Sequence, residues 1–154
     1  MKRFKKKSID IIKDRKSLSK PCRPCENMET GEKIGQTLLK KLEESKNGVG
    51  LAANQIGVDL RVCVINVEKP IVLVNPEITG QFDKILFQEG CLSFPGDYII
   101  TERYANVAVK ADNHPGALLF SSKNLLECVC VQHEIDHLNG ITMYDRKAKG
   151  DINV

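Results

Sequence analysis

The chain has 154 residues, of which 42% are hydrophobic and 28% charged, and its formal net charge is +3. This length suits one domain with a sizeable core, and the composition is ordinary for a globular protein. No apolar run approaches the roughly 20 residues of a membrane span, and the basic start is not followed by the apolar segment of a signal peptide, so we expect neither feature.

The charge is unevenly distributed along the chain. Residues 1–20 hold nine Lys/Arg and two Asp/Glu, a net +7, whereas the remainder holds 14 Lys/Arg and 18 Asp/Glu, a net −4. Such a basic lead can contact RNA or a ribosome surface. The alternative, which we favour, is a solvated terminus. We therefore predict a single domain over residues 1–154, in which residues 1–25 form a basic N-terminal arm.

The six cysteines do not form a dense disulfide framework, which favours a reducing, cytosolic setting. Cys22 and Cys25 form a C-x-x-C pattern in the arm. No second pair follows at zinc-finger spacing, and neither a strand before them nor a helix after them is convincing, so we interpret both as loop residues.

An amphipathic helix is predicted over residues 31–46, because Ile34, Leu38 and Leu42 recur every four residues and Thr30 is a suitable N-cap. The next segment, residues 48–57, contains three glycines and small or apolar residues around one long polar side chain, Gln55. That amide is either a satisfied core group or an N–H donor aimed into a site.

Short β-branched runs predict strands at 61–67, 71–74, 83–87, 98–103, 106–111 and 117–120. The last two are expected to pair as a hairpin around a turn in which His114 is exposed and inert. A second helix, from about residue 123 to 139, is capped by Ser121 or Ser122 and has apolar residues on more than one side. It should lie buried among the strands of an α+β domain.

This second helix carries an H-E-x-x-H pattern. His133 and His137 are four residues apart and so lie on one helical face, where two imidazoles can bind one divalent metal, and the Glu134 carboxylate can reach a water on that metal. The alternative is an ordinary helix that contains two histidines.

A third ligand must come from elsewhere in the chain. Cys63 lies in an apolar strand, and the spacings of Cys128 and Cys130 do not place them on the face of the two histidines. Cys91 follows a glycine at the end of a strand, where the backbone can come close to a ligand. A thiolate with two imidazoles leaves a fourth position open, as in catalytic sites.

Three segments occur together and in order: G-V-G-L-A-A-N-Q at 48–55, E-G-C-L-S at 89–93 and Q-H-E-I-D-H-L-N-G at 132–140. Over roughly residues 28–145 the chain resembles the peptide deformylases, which remove the formyl group from the initiator methionine of new polypeptides. The resemblance implies an HExxH helix surrounded by antiparallel sheets, with a metal held by Cys91, His133 and His137.

The resemblance also assigns roles around that metal. Glu134 takes the proton of the attacking water and delivers it to the leaving amine, and formate is released. The Gln55 side-chain amide and the Leu92 backbone N–H stabilise the charge that develops on the formyl oxygen. The peptide lies as an added strand along Val49–Gly50 on one side and Gly90 on the other.

By the same resemblance, the methionine side chain is expected to enter a pocket whose walls are Leu126, Val129 and Cys130, although plain core packing would also account for these three residues. The implied native metal is Fe²⁺, and Zn²⁺, Ni²⁺ or Co²⁺ also suit the ligands. We further expect a monomer that acts on N-formylmethionyl nascent peptides in the cytoplasm of a bacterium or a phage-infected cell, with an organelle as the second choice.

The chain departs from the family pattern in three places, the first being residues 1–25, which lack the usual start of the family. Residue 54 is Asn where many relatives have Pro, which removes a backbone restraint before Gln55. The chain also ends soon after Gly140, so we expect it to lack the usual C-terminal helix. A metallopeptidase with the same HExxH and a non-catalytic binding protein on this fold are the alternatives. Cys91 argues against the first, and the intact site residues argue against the second.

Overall fold

The structure, a computed structural model, describes residues 9–149. Its helices and strands follow one another as α1 (Met28–Glu43), β1 (Gly50–Ala52), β2 (Val62–Asn66), β3 (Pro70–Val74), β4 (Glu77–Cys91), β5 (Phe94–Lys110), β6 (Leu118–Phe120) and α2 (Leu125–Leu138). Short 3-10 turns lie at Ser17–Ser19, Ala53–Ile56, Ser122–Asn124 and Met143–Arg146.

The strands form two antiparallel sheets, with the orders β1-β2-β3 and β4-β5-β6. Helix α2 contacts β1 and β2 of the first sheet and β4 and β5 of the second, so it lies between the sheets, while α1 covers the other side of the first sheet. One core cluster joins α2 to both sheets, and a second joins α1 to the first sheet. The predicted α+β class is confirmed.

Helix α1 begins earlier than the sequence analysis predicted. Asn27, not Thr30, is its N-cap, and the Asn27 side chain accepts a hydrogen bond from the Thr30 backbone N–H. Asparagine is among the strongest N-cap residues, which explains the difference. The predicted apolar face is present, because Leu38 and Leu42 are buried. Gly31 and Gly35 are buried on the same face and let the helix approach the first sheet closely.

Replacing Gly35 by alanine is expected to destabilise the fold by about 1–2 kcal/mol. An added Cβ would lie 2.3 Å from Cγ1 of Val72, and Val72 is a stiff β-branched residue within a sheet. This overlap should outweigh the helix propensity that alanine gains, up to about 1 kcal/mol. Urea denaturation measures the change. Gln36→Ala on the exposed face of α1 is the control, and equal stabilisation by both substitutions would contradict the expectation.

Three of the predicted strands were shorter than the strands that the structure shows. The predicted strand 83–87 is the centre of β4, and 98–103 and 106–111 belong to the single strand β5. The two strands pair along nearly their whole length, so cross-strand hydrogen bonds keep polar residues extended where their own sequence carries no strand signal. The predicted hairpin is confirmed, since β5 pairs with β6. His114 is half-buried rather than exposed, and its Nε2 lies 2.9 Å from the Val72 carbonyl oxygen.

Residues 9–25 form no α-helix or long strand, yet they pack against the body of the protein. The Ile12 backbone N–H donates to the Gln55 carbonyl at 2.7 Å, the Cys22 N–H donates to the Leu138 carbonyl at 2.8 Å, and Leu18 is fully buried. Cys22 and Cys25 are both buried, each in a different core cluster.

Both ends of the chain bear on earlier predictions. Residues 1–8, which hold much of the basic lead, lie outside the described residues. Between α2 and Lys149 the chain forms only a 3-10 turn. The predicted lack of a C-terminal helix also concerns residues 150–154, and these lie outside the described residues. Within residues 9–149, no helix combines the length and apolar character needed to cross a membrane.

Candidate metal and substrate site

Helix α2 places the two histidines in the middle of the protein. The Asn124 side chain caps its first turn by accepting from the Glu127 N–H, and every residue from 128 to 138 is buried between the two sheets. The one-turn spacing brings Nε2 of His133 within 3.1 Å of Nε2 of His137. Two such nitrogens facing one point are the arrangement that the H-E-x-x-H pattern predicts.

Cys91 joins the histidines from the second sheet. It is the last residue of β4, and a two-residue turn follows before Phe94, its cross-strand partner. The Cys91 Sγ lies 3.4 Å from Nε2 of His137, and the ligand atoms of the three residues lie within 4.8 Å of one another. Metal bonds of about 2.0–2.3 Å in a tetrahedral site separate neighbouring ligand atoms by roughly 3.3–3.8 Å. The three residues therefore fit one small divalent cation.

A buried network of charged side chains contacts His133 through Nδ1, the ring nitrogen that does not face His137. This nitrogen lies 2.8 Å from Glu89 Oε1, and Arg103 donates to both Glu89 oxygens at 2.5 and 2.8 Å. Arg103 also donates to Asp136 at 2.5 Å, and Asp136 in turn receives hydrogen bonds from Arg146. A carboxylate that holds the second nitrogen of a ligand histidine sets the orientation of its ring.

The network also sets the protonation of these groups. Burial would raise the pKa of Glu89, but hydrogen bonds from Arg103 and His133 outweigh it and hold that pKa at about 2. Burial lowers the pKa of both histidines. For His133, the charge of Glu134 and the hydrogen bonds to Cys91 and Glu89 reverse this and raise the pKa, whereas the pKa of His137 stays well below its usual value. Glu89 is thus a fixed negative charge beside the site.

Glu134 lies next to the ligands on α2, facing β1. Gly50 makes this approach possible, because a Cβ at that position would lie 2.5 Å from Glu134 Oε2. The other oxygen, Oε1, is buried and has no hydrogen-bond partner among the described residues. Burial raises the pKa of Glu134 to about 7. A carboxyl group with that pKa can both accept and release a proton near neutral pH.

Gln55 is held in one orientation by the turn that contains it. Its Oε1 accepts from the Ala52 N–H at 2.9 Å, and its Nε2 donates to Ser93 Oγ at 3.0 Å and lies 3.7 Å from Cys91 Sγ. The amide N–H group therefore points toward the ligands. The neighbouring Asn54 donates to the His137 carbonyl at 2.7 Å, a bond from side chain to helix end that a proline could not make.

A cavity of about 460 Å³ opens onto this cluster. Its walls include nearly all the residues that the sequence analysis assigned to the site: Val49, Gly50, Gln55, Gly90, Cys91, Leu92, Leu126, Val129, Cys130, His133 and Glu134. His137 is fully buried behind them. The cavity thus joins the first sheet, the β4–β5 turn and α2 in one site of a size suited to a small ligand.

Comparison with known proteins identifies the family. The family profile described as Polypeptide deformylase matches residues 7–152. This chain belongs to the polypeptide deformylase family. A peptide deformylase of Desulfitobacterium hafniense is 48% identical over 118 residues, which cover 76% of this chain and 78% of the relative. One of Aquifex aeolicus is 40% identical over 134 residues, which cover 80% of this chain and 79% of the relative.

The structural comparison agrees. The crystal structure of a Synechococcus elongatus peptide deformylase in complex with actinonin superposes with a TM-score of 0.82 at 35% identity, covering 96% of this chain and 83% of that one. Deformylases of this family remove the N-formyl group from nascent polypeptides, so the predicted activity and the predicted deformylase fold are confirmed. Deformylases are metalloenzymes, in agreement with the clustered ligand atoms.

Sequence analysis did not predict the charged residues Glu89 and Arg103, which support the candidate metal ligand His133. Glu89 lies within the E-G-C-L-S segment, but its role was not foreseen, and Arg103 was assigned only to a strand. Arg103 stands between Glu102 and Tyr104, a sequence setting that does not distinguish a buried charge from an exposed one. Its partners, Glu89 and Asp136, are 14 and 33 residues away in the chain.

Proposed function

We propose that this deformylase binds one divalent metal through Cys91, His133 and His137 and uses Glu134 as its general base. The observation that supports this assignment is the convergence of the three ligand atoms within 4.8 Å at the wall of the cavity that Glu134 also lines. When bound, such a metal polarises the formyl carbonyl and makes water acidic enough to ionise near pH 7.

Glu134 moves the proton in this proposal. Its carboxylate accepts a proton from the water that attacks the formyl carbon, and it then gives that proton to the amine nitrogen as the C–N bond breaks. Formate and a free amino terminus are the products. The place of Glu134 beside the ligands suits this double role, because one carboxylate oxygen has no hydrogen-bond partner among the described residues and is free to take the proton and then return it.

Gln55 and Leu92 are proposed to stabilise the negative charge on the formyl oxygen. The Gln55 amide is already oriented by Ala52 and Ser93, so it needs no rearrangement when charge develops. Leu92 opens the turn after Cys91 and lines the same cavity, which allows its backbone N–H to serve as the second donor.

The peptide is proposed to add a strand between two sheet edges. Strand β1 is the edge of the first sheet and β4 the edge of the second. The Val49 carbonyl accepts from Asn66 on β2, so by alternation the polar groups of Gly50 point away from β2, toward the open side. Gly90 on β4 lines the same cavity. Both edges can hydrogen-bond an extended peptide.

The methionine side chain is proposed to lie against Leu126, Val129 and Cys130 on α2. All three line the cavity, and Leu126 is 43% exposed despite its apolar side chain, which agrees better with a pocket wall than with plain core packing. A flexible thioether suits such an apolar surface.

Several finer assignments rest on the family and the chain's chemistry. We propose Fe²⁺ as the native metal, with Zn²⁺, Ni²⁺ and Co²⁺ as substitutes that the donor set also accepts. All six cysteines, which lie within the described residues, are free thiols, which supports a reducing cytoplasm. We also propose that the protein is a monomer made of one domain. For its basic N-terminal arm we favour a solvated terminus, with contact to a ribosome surface as the alternative.

The metal assignment is tested by removing and restoring the metal. Chelator-treated protein should release no formate from a formyl-Met peptide, and anaerobic addition of one equivalent of Fe²⁺ should restore turnover. Cys91→Ala, which removes one of three ligands, should bind the metal at least tenfold more weakly. Cys63→Ala, at a buried cysteine outside the cavity, is the matched control. Turnover by metal-free protein, or cleavage of an unformylated peptide instead, would refute the proposal.

A further inference from the structure

The mouth of the cavity is built by an irregularity in the β4–β5 pairing. Glu89 pairs with Ile99 and Cys91 pairs with Phe94, so the four residues 95–98 of β5 stand opposite the single residue Gly90 of β4. All four are exposed, and all four line the cavity. We call this segment, residues 95–98, the rim. Bulges of this kind commonly place side chains beside active sites.

The rim carries a negative charge. Among the described residues that line the cavity, none is Lys or Arg, and the acids are Glu89, Asp97 and Glu134. Glu89 is paired with Arg103, and Glu134 lies buried beside the ligands. Asp97 is exposed, and its carboxylate forms no ion pair with any described residue, since the nearby Arg15 pairs with Asp145. It is therefore the charged group that a ligand meets at the cavity mouth.

The Asp97 carboxylate is held in place from the C-terminal side of α2. The Tyr144 hydroxyl donates a hydrogen bond to Asp97 Oδ2. The Tyr144 ring packs edge-on against Phe94, with ring centroids 4.9 Å apart, and the Arg15 guanidinium lies 4.7 Å from its centre. These contacts fix the carboxylate at the rim although the segment itself is exposed.

A peptide that lies along Gly90 must pass this rim. The Tyr98 ring lies 3.3 Å from the position that a Cβ of Gly90 would occupy, so the rim borders the proposed path of the substrate strand. With the formyl group at the ligands and the methionine side chain against α2, the following residues of the peptide extend toward the cavity mouth. Their side chains alternate between the two faces of the added strand, so one of them faces the rim.

We propose that Asp97 determines substrate specificity: it favours formyl-Met peptides with Lys or Arg shortly after the methionine over those with Asp or Glu. This inference rests on the proposed function. The net charge of the chain, +3, would by itself favour acidic peptides, so the local carboxylate decides the direction of the preference. Because Asp97 is exposed, we expect only about a two- to tenfold effect, weakened by salt.

The test compares kcat/KM for formyl-Met-Ala-Lys, formyl-Met-Ala-Gln and formyl-Met-Ala-Glu, each with an amidated C-terminus. We expect the order Lys, Gln, Glu, mainly through KM, and a smaller spread at about 0.5 M salt. Asp97→Asn should bring the Lys/Glu ratio close to one. Glu102→Gln makes the same charge change on β5 outside the cavity and should keep the ratio of the unmodified protein.

Tyr144→Phe provides a second variant that keeps the Asp97 charge. It retains the ring contacts but frees the carboxylate, so the Lys/Glu ratio should fall part of the way. Equal rates on all three peptides, or a ratio that survives in Asp97→Asn, would overturn the specificity proposal. Failure to deformylate any of them would instead count against the proposed function.

Discussion

Replacing Glu134 by glutamine is expected to lower the rate of formate release by about 10²- to 10⁴-fold while leaving metal binding intact. Glutamine keeps the shape of the side chain and the space beside Gly50, but it cannot take a proton from water. The metal ligands Cys91, His133 and His137 are untouched. Steady-state formate release and metal content of the same preparation together measure this result.

The same substitution separates lost chemistry from lost folding. Glu134 is buried, and one of its oxygens has no hydrogen-bond partner among the described residues, so a neutral amide should leave the metal-free protein at least as stable as before. Glu127→Gln, an equal change two turns earlier on α2, should keep full activity. Substantial turnover by Glu134→Gln would mean that another group is the base.

The second large effect is expected on stability, from Arg103→Leu. Arg103 is 3% exposed and bridges Glu89 and Asp136. Without it, two buried carboxylates lose their shared counter-charge, and breaking a buried ion pair from one side costs about 3–5 kcal/mol. For a chain of this size that corresponds to a melting temperature lower by roughly 10 °C or more. Calorimetry of the metal-free protein measures the loss without interference from metal binding.

Two further variants show whether uncompensated charge causes this loss. Glu89→Gln added to Arg103→Leu removes one of the orphaned charges and should recover part of the stability. Arg146→Leu removes an Asp136 partner whose side chain is 44% exposed, and it should cost only about 1 kcal/mol. If Arg103→Leu melts within about 2 °C of the unmodified protein, the network does not contribute to stability as described.

Much of the fold was predictable because its signals are local. The period of Ile34, Leu38 and Leu42 predicted α1, and the β5–β6 hairpin followed from its turn. The errors have a common cause. The full length of β4 and β5 depends on their mutual hydrogen bonding, which extends through polar residues such as Gln81 and Gln88. The choice of Asn27 over Thr30 as the N-cap depended on where the chain enters the helix.

For the candidate site, the sequence by itself determined the chemistry on α2. A helical repeat of 3.6 residues places His133, Glu134 and His137 together whatever surrounds the helix. Three family segments that occur together and in order then pointed to the family, and to Gln55 and Cys91 as further residues of the site. What these residues do stays a proposal, but their types and spacing were readable from the chain alone.

Only the tertiary structure decided what surrounds those residues. The Glu89–Arg103–Asp136 network, the Asn54 bond to the His137 carbonyl and the Asp97 rim held by Tyr144 all join groups that are far apart in sequence. Such contacts arise when two sheets close around one helix, and no local periodicity encodes which distant side chain will arrive there. Ligand types are therefore local information, whereas their orientation, their charge balance and the mouth of the cavity are properties of the folded whole.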